Sequence, residues 1–431
     1  MKSKTLSRIF GANCGLLMIS FLLLSFQSKV LDWGFFGHRQ INQMAVFTLP
    51  PDLINFYKPN IDFVKEHAID PDKRRYASKY EAVRHFINPD EIDTYPFDVF
   101  PRRWSEALSK FTDIYLITNE DDTLHLFGRF QMDFEDNLLI LKANDLQKTI
   151  GRNHLIIDKY KYIKFVQKHI VRNYYDSEWT IPKEEIDSIF MEDSVLVPLN
   201  IDVKKVFAKD RLSEIGILPW HLQSMQYRLT RAFEDGDVNT ILRLSADFGH
   251  YIGDAHVPLH TTKNYNGQYT NQRGIHGFWE SRLPELFADE DYSFFVGKAE
   301  YIEDATAHYW NIILESNQLV DSVLWIEKSL RKQFSEDEIY CYENVGKKTI
   351  RTYCNGFSNA YHKRLEGMVE ARMKAAIKAV GDAWFTAWVD AGQPNLIITE
   401  EVALTEAEQK ELDTEEKAFK GGKIIGREHG N

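Results

Sequence analysis

The stretch from Val238 to Asp254 constrains this chain more than any other. Ile241, Leu244, Phe248 and Ile252 recur at helical spacing and form one apolar stripe, so the segment reads as a helix with a face to bury. His250 and Asp254, four residues apart, share a different side of that helix, where an imidazole and a carboxylate one turn apart can point at the same ion. Ala246, Gly249 and Gly253 lie beside them and are small enough to let a neighbouring backbone or side chain approach closely.

A single His–Asp pair on a helix is usually just solvated, but this one belongs to a larger set. The run reads DFGHYIGDAHVPLH, which places His250, Asp254 and His260 in an H-x3-D-x5-H pattern with Pro258 ending the helix before the last histidine. Sixteen residues further on, IHGFWE supplies His276 and Glu280, again four apart. Upstream, His38 and His85 each sit near a tight turn or a carboxylate cluster. Mixed imidazole and carboxylate ligands suit a borderline-soft ion such as Zn2+ and need no thiolate. Five histidines with several carboxylates can serve two or three ions, and bridging carboxylates in such clusters leave positions open for water and substrate. The charge balance points the same way. With 52 Lys and Arg against 64 Asp and Glu, the net charge is −12, so there is no long-range attraction for an anionic partner. An anionic substrate has to be held by local positive charge, such as a metal.

The rest of the chain reads mostly as helix. After Trp33 a short glycine-rich opening leads into an apolar-periodic stretch through Leu49, stopped by Pro50 and Pro51. Leu222, Met225, Leu229 and Phe233 mark a second clear helix, which EDGD breaks before the helix of His250 begins. The expectation is an all-α chain: one multi-helix domain over residues 33–395, with residues 104–210 as a helical insertion of no visible chemistry. Residues 396–431 form a charged tail with few large apolar groups, expected as a short solvated helix. Residues 1–32 read as a secretory signal or an N-terminal membrane segment, because Lys2, Lys4 and Arg8 precede an apolar run from Leu16 to Phe26 too short to span a bilayer comfortably. The protein is therefore expected to be exported, secreted or periplasmic, and membrane-anchored if that segment stays uncleaved.

In this order and spacing the residues resemble the superfamily of zinc-dependent phospholipase C and the single-strand-specific zinc nucleases. Trp33 and His38 fit its opening Trp-x4-His; an Asp followed by His85 fits the next step; His250, Asp254 and His260 fit its H-x3-D-x5-H; His276 and Glu280 fit its closing H-x3-E. The resemblance covers residues 33–92 and 216–290. It implies an all-helical fold with a trinuclear zinc cleft. Asp70, His85 and His250 would hold one zinc, with Asp254 bridging to a second that also takes His38 and the amino and carbonyl groups of Trp33 if that residue is the mature N-terminus. His260, His276 and Glu280 would hold the third. Two zinc ions are expected if Trp33 is not terminal. Asp72 is the alternative to Asp70, which gives the fifteen-residue step to His85 found in the nucleases.

The implied activity is hydrolysis of phosphodiester bonds by metal-activated water attacking phosphorus in line, with Asp70 orienting the water or accepting its proton. The Trp-x4-His opening and the step to His85 favour a nuclease-like enzyme acting on single-stranded nucleic acid, whereas Glu280 in place of Asp favours cleavage of phospholipid headgroups. A catalytically inactive zinc-binding protein and a phosphomonoesterase are the remaining readings. No protein partner is implied, and no substrate-binding residue is assigned. Of the neighbouring residues, His256 reads as lining the cleft or as a surface group. Lys73, Arg74 and Arg75 read as a solvated basic turn or a phosphate site, Phe278 and Trp279 as core or as stacking groups. The NYNGQYTNQRG segment has turn composition and would form the cleft rim. Cys341 and Cys354, thirteen apart, fit a disulfide in an oxidising compartment and a pair of buried thiols equally well.

Overall fold

A computed structural model of the protein describes residues 35–118, 121, 123–127, 132–135, 138–142, 154–165, 167, 178–180, 203–345, 348–396 and 404–425. The fold is all-α in character, with a few short sheets. The elements that build the site are helices α1 (Phe36–Ala45), α2 (Asp70–Arg74), α3 (Trp104–Lys110), α4 (Leu218–Asp235), α5 (Val238–His256), α6 (Ala305–Gln318), α7 (Met368–Asp390) and α8 (Glu406–Gly421). The leader expected over residues 1–32, and Trp33, lie outside the described residues. Among the described residues no helix is long and apolar enough to cross a membrane.

Helix α5 is the central element. Asp237 caps it, its carboxylate accepting from the Thr240 amide at 3.2 Å, while Gly236 closes α4 in the left-handed conformation (φ +69°). The apolar stripe of α5 is buried throughout, Ile241, Phe248 and Ile252 at 0% exposure, and packs with Leu222, Met225, Leu229 and Phe233 of α4. Trp384 of α7 stacks on Tyr57 with ring centroids 4.7 Å apart and donates to the Ser245 carbonyl at 3.2 Å, fixing α7 against α5.

The other side of α5 receives α1. A β-carbon on Gly249 would lie 1.9 Å from Asn42 Oδ1, and one on Gly253 would lie 2.9 Å from His38 Nδ1. The two glycines thus let a buried asparagine and a histidine of α1 reach the surface of α5. Asn42 spends its amide hydrogens on the Ala246 carbonyl at 3.0 Å and the Val64 carbonyl at 3.1 Å, which fixes the depth of the contact.

The described residues within 104–210 depart from the expected helical insertion, with strands around a short helix, Lys159–Phe165. After α3 come strands β1 (Thr112–Thr118), β2 (Thr123–Phe127), β3 (Met132–Glu135), β4 (Leu138–Lys142), β5 (His154–Asp158), β6 (Glu178–Thr180) and β7 (Val203–Asp210). They form an antiparallel sheet in the order β2-β1-β7-β6 and a second in the order β3-β4-β5. The reason is local: TDIYLIT is rich in β-branched and aromatic residues, which favour a pleated surface over a helix. A third pairing, β8 (Tyr340–Val345) with β9 (Lys348–Tyr353), is a hairpin that the Cys341–Cys354 disulfide crosslinks to the residue following β9.

Candidate metal centre

Five imidazoles and three carboxylates from distant parts of the chain converge beside α5. His38 comes from α1, Asp72 from α2, His85 from the turn after Ala82–Arg84, His250 and Asp254 from α5. His260 comes from the short helical turn Pro258–Thr261, His276 from Ile275–Gly277 and Glu280 from the π-helical turn Phe278–Arg282. The five histidines are all between 0% and 4% exposed. Four overlapping triads have ligand atoms within 4.8 Å of one another: His38–Asp72–His250, His85–His250–Asp254, His260–His276–Glu280 and His38–Asp254–Glu280. These buried groups can hold a metal ion.

The spacings suit one. Ligands roughly 2.0–2.1 Å from a tetrahedral zinc ion lie about 3.3 Å from each other. Here His250 Nε2 lies 3.1 Å from His85 Nδ1 and 3.4 Å from Asp254 Oδ2, and His85 Nδ1 lies 2.9 Å from the same oxygen. His38 Nε2 is 3.5 Å from Asp254 Oδ1 and 3.4 Å from Glu280 Oε1. His260 Nε2 is 3.4 Å from Glu280 Oε2 and 3.6 Å from Asp254 Oδ1, and His276 Nε2 is 2.7 Å from Glu280 Oε2. Asp254 and Glu280 therefore each serve more than one triad, the property a bridging carboxylate needs.

The far sides of the rings explain their orientation. A neutral imidazole has one N–H, and the acceptor it finds decides which nitrogen keeps a lone pair. His250 Nδ1 donates to the Ala68 carbonyl at 2.8 Å, His260 Nδ1 to the His85 carbonyl at 2.5 Å, and His276 Nδ1 to the Tyr265 carbonyl at 3.1 Å. Each arrangement aims the Nε2 lone pair at the carboxylates, as ligating histidines with anchored second nitrogens do. The rim segment supplies one of these anchors: Asn266 Oδ1 accepts from the Gly274 amide at 2.8 Å, folding the loop so that Tyr265 faces His276.

The imidazoles hold the cluster carboxylates ionised. Burial acts to raise Asp254, but His250 and His260 outweigh it and hold that carboxyl well below the usual range. Burial likewise opposes ionisation of Glu280, and His260, His276 and His38 hold it well below the usual range. Burial disfavours protonated His250, yet Asp254 and Asp72 push it up to about 9. A metal ion bound by His250 would displace that proton.

Asp70, expected as ligand and as the catalytic carboxylate, does not join the cluster. Its Oδ2 lies 2.5 Å from His67 Nδ1 and its Oδ1 3.4 Å from Lys73 Nζ. Asp72 faces inward instead, its Oδ1 3.9 Å from both His85 Nδ1 and His250 Nε2. Residues two apart on a helix are turned by roughly 200° from each other, so Asp70 and Asp72 face different neighbours.

The basic turn is occupied as well. Arg74 meets Glu81 at 3.6 Å, Asp247 at 3.2 Å and Glu415 at 3.2 Å, while Lys73 reaches Glu416 at 3.4 Å and Arg75 reaches Asp72 at 3.5 Å. His256 is buried and turned back onto the Ile252 carbonyl at 2.8 Å; burial, then Arg372, holds it well below the usual imidazole value. Phe278 is core, stacked on Tyr353 with centroids 3.8 Å apart. Trp279 lines a small cavity beside His38 and Glu280, together with Val257, Pro284 and Met373.

Sequence reasoning passed over Glu81, a fully buried carboxylate behind His85. Its signal was present in EAVRH, where a glutamate precedes a histidine by four residues. Comparison with protein-family models, with curated proteins and with solved structures finds no match.

Proposed function

We propose that this chain is a zinc-dependent hydrolase of phosphodiester bonds. The observation that carries the reading is the convergence of His85 Nδ1 and His250 Nε2, 3.1 Å apart, on one oxygen of a buried Asp254. Two imidazole nitrogens facing each other beside a carboxylate are stable only around a proton or a cation. Zinc bound there would supply Lewis-acid charge to a phosphoryl group and lower the pKa of an attacking water. Asp72, His85, His250 and Asp254 would hold one ion, His38, Asp254 and Glu280 a second, and His260, His276 and Glu280 a third.

The chain's own residues do the rest. Among the cluster carboxylates, Asp72 and Glu280 keep side-chain exposures of 15% and 16% while Asp254 keeps 2%. The cluster thus meets solvent at Asp72 and Glu280, where substrate would enter, an open side that supports catalysis over a closed structural site. Asp72 stands beside His85 and His250, placed to orient a water or take its proton. That role follows the geometry better than Asp70, whose oxygens are spent on His67 and Lys73.

The nuclease-like substrate, single-stranded nucleic acid, stands first on the Trp-x4-His spacing. One feature favours a phospholipid headgroup instead: Glu280 stands where the nuclease-like pattern has Asp. The Cys341–Cys354 disulfide supports an oxidising compartment and hence export.

The test is to purify the full chain, measure zinc by elemental analysis, and assay single-stranded DNA, phosphatidylcholine and a chromogenic phosphodiester with its monoester counterpart. Two or three zinc ions per chain, with diester cleavage abolished by a chelator and restored by Zn2+, is the expected result. A chain that binds no zinc overturns the reading; one that binds zinc but turns over none of these substrates is a zinc-binding protein without this activity.

A further inference from the structure

Four of the five cluster histidines present Nε2 to the carboxylates; His85 alone is reversed, with Nδ1 inward and Nε2 outward. A ring that ligates through Nδ1 has to carry its hydrogen on Nε2, so an acceptor behind His85 is required. The group there is not a carbonyl, as it is for His250, His260 and His276, but the carboxylate of Glu81, whose Oε1 lies 3.5 Å from His85 Nε2.

Glu81 is 0% exposed, and a buried carboxylate survives as an anion only where donors surround it. Its Oε1 also accepts from the Tyr251 hydroxyl, and its Oε2 meets Arg84 at 2.8 Å and Arg74 at 3.6 Å. Both oxygens are thereby fixed in position from elements on either side of the site: Tyr251 belongs to α5, next in sequence to His250, and Arg74 to α2, two residues from Asp72. Oε1 thus stands between the Tyr251 hydroxyl and the back of the one reversed imidazole.

We propose that Glu81 is a positioning residue of the metal centre, setting the His85 ring so that Nδ1 faces the ion shared with His250 and Asp254. The proposal rests on the metal-centre reading. A carboxylate behind a ligating histidine makes the ring a stronger donor as well as orienting it, and loss of such a partner typically costs about 10–100-fold in metal affinity.

The experiment titrates the metal-free full chain with Co2+, reading the visible absorption of the bound ion, with circular dichroism as a check on folding. Glu81→Gln is expected to weaken one class of Co2+ site by about 10–100-fold and to alter its absorption band. Glu81→Asp should recover part of the loss. Tyr251→Phe, which frees Glu81 Oε1 without removing its charge, should weaken the same class by a smaller factor and decides the matter if Glu81→Gln does not fold. Asp113→Asn is the control: Asp113 is buried and pairs with Arg211 in the strand region, apart from the cluster residues, so Co2+ binding should stay at the wild-type level. Wild-type Co2+ affinity in folded Glu81→Gln, or in Tyr251→Phe where the former does not fold, overturns the positioning role alone. A wild-type chain that binds no Co2+ overturns the metal-centre reading and this role with it.

Discussion

Helix α2 is one and a half turns long and has two differently built sides. Inward, Asp72 faces His85 and His250, in a cluster whose histidines are between 0% and 4% exposed. Outward, Lys73 and Arg74 meet Glu416 and Glu415 of α8, and nearby Arg243 meets Glu408 and Glu411 at 2.9 and 3.0 Å. Charge is plentiful on both sides: outward, Lys and Arg meet the carboxylates of α8, while inward Arg75 reaches Asp72 and imidazoles face Asp254 and Glu280. The Arg243 pairs lie where water screens them and are worth little individually, whereas the Arg74–Glu415 pair is largely buried. Asp254, 2% exposed, is costly to hold ionised unless its charge is met, by the imidazoles around it or by the proposed ion. What separates the two sides is the kind of partner: imidazoles converge on shared carboxylates inward, while Lys and Arg pair with α8 outward.

The largest break in that contrast comes from Asp254, which faces His38, His85, His250 and His260 at once. Asp254→Asn should reduce zinc content by at least one ion per chain and lower phosphodiester turnover by more than ~100-fold, beyond what loss of a supporting partner produces. Elemental analysis and initial rates on the same preparation check it. Next in size is the pair on α2 itself. Asp72→Asn should weaken metal affinity by about 10-fold or more, the low end of the effect of losing a supporting group. Asp70→Asn should leave affinity unchanged and cost only about 1.5–3 kcal/mol of stability, the worth of its charged hydrogen bonds to His67 and Lys73. If the two variants exchange effects under zinc titration and urea denaturation, the inward assignment of Asp72 is wrong.

What could be read from the sequence was local. The stripe Ile241, Leu244, Phe248 and Ile252 is buried as its spacing implied, and His250–Asp254 and His276–Glu280 are close because four residues make one turn of helix. Glycines 249 and 253 admit α1, as their size suggested. Asp70 and Asp72 could not be told apart because a five-residue helix has no periodicity to read; which side turns inward is set by its packing on α5, far away in sequence. Glu81 was hidden for a related reason, since its neighbours Arg74 and Tyr251 come from other segments. Residues 112–118 were legible but misread: TDIYLIT has strand composition inside a stretch whose charge obscured it.

The outer side should respond to pH. Burial raises Glu415 from the ordinary 4.5 to about 7, only partly offset by Arg74, because that guanidinium is shared with Asp247 and Glu81. A carboxyl with a raised pKa binds its proton more tightly when α8 is docked. Docking is therefore strengthened at the acid end of the window, and that gain is lost as pH rises from about 4.5 through about 7. Amide hydrogen exchange across α8, corrected for intrinsic rates, should show greater protection at pH 5 than at pH 8, and Glu415→Gln should remove the difference. A protection profile that rises with pH would mean the Arg74 pair dominates and the shift has the opposite sign.

The smallest effect sharpens the comparison most, because it asks whether the two sides are independent. Arg243 is 27% exposed and its partners Glu408 and Glu411 are 18% and 56% exposed, so removing the pairs in Arg243→Ala should cost no more than about 1 kcal/mol. The cost should shrink further at high salt, since screening acts on exposed charges within a distance of about 10 Å at 0.1 M. Exchange in α8 should rise, while Co2+ affinity and stoichiometry stay at the wild-type value. An affinity that falls together with α8 protection would show that Glu415, Arg74 and Glu81 carry the docking of the tail helix through to His85. The basic turn would then be a mechanical link between the two sides of α2, not a boundary between them.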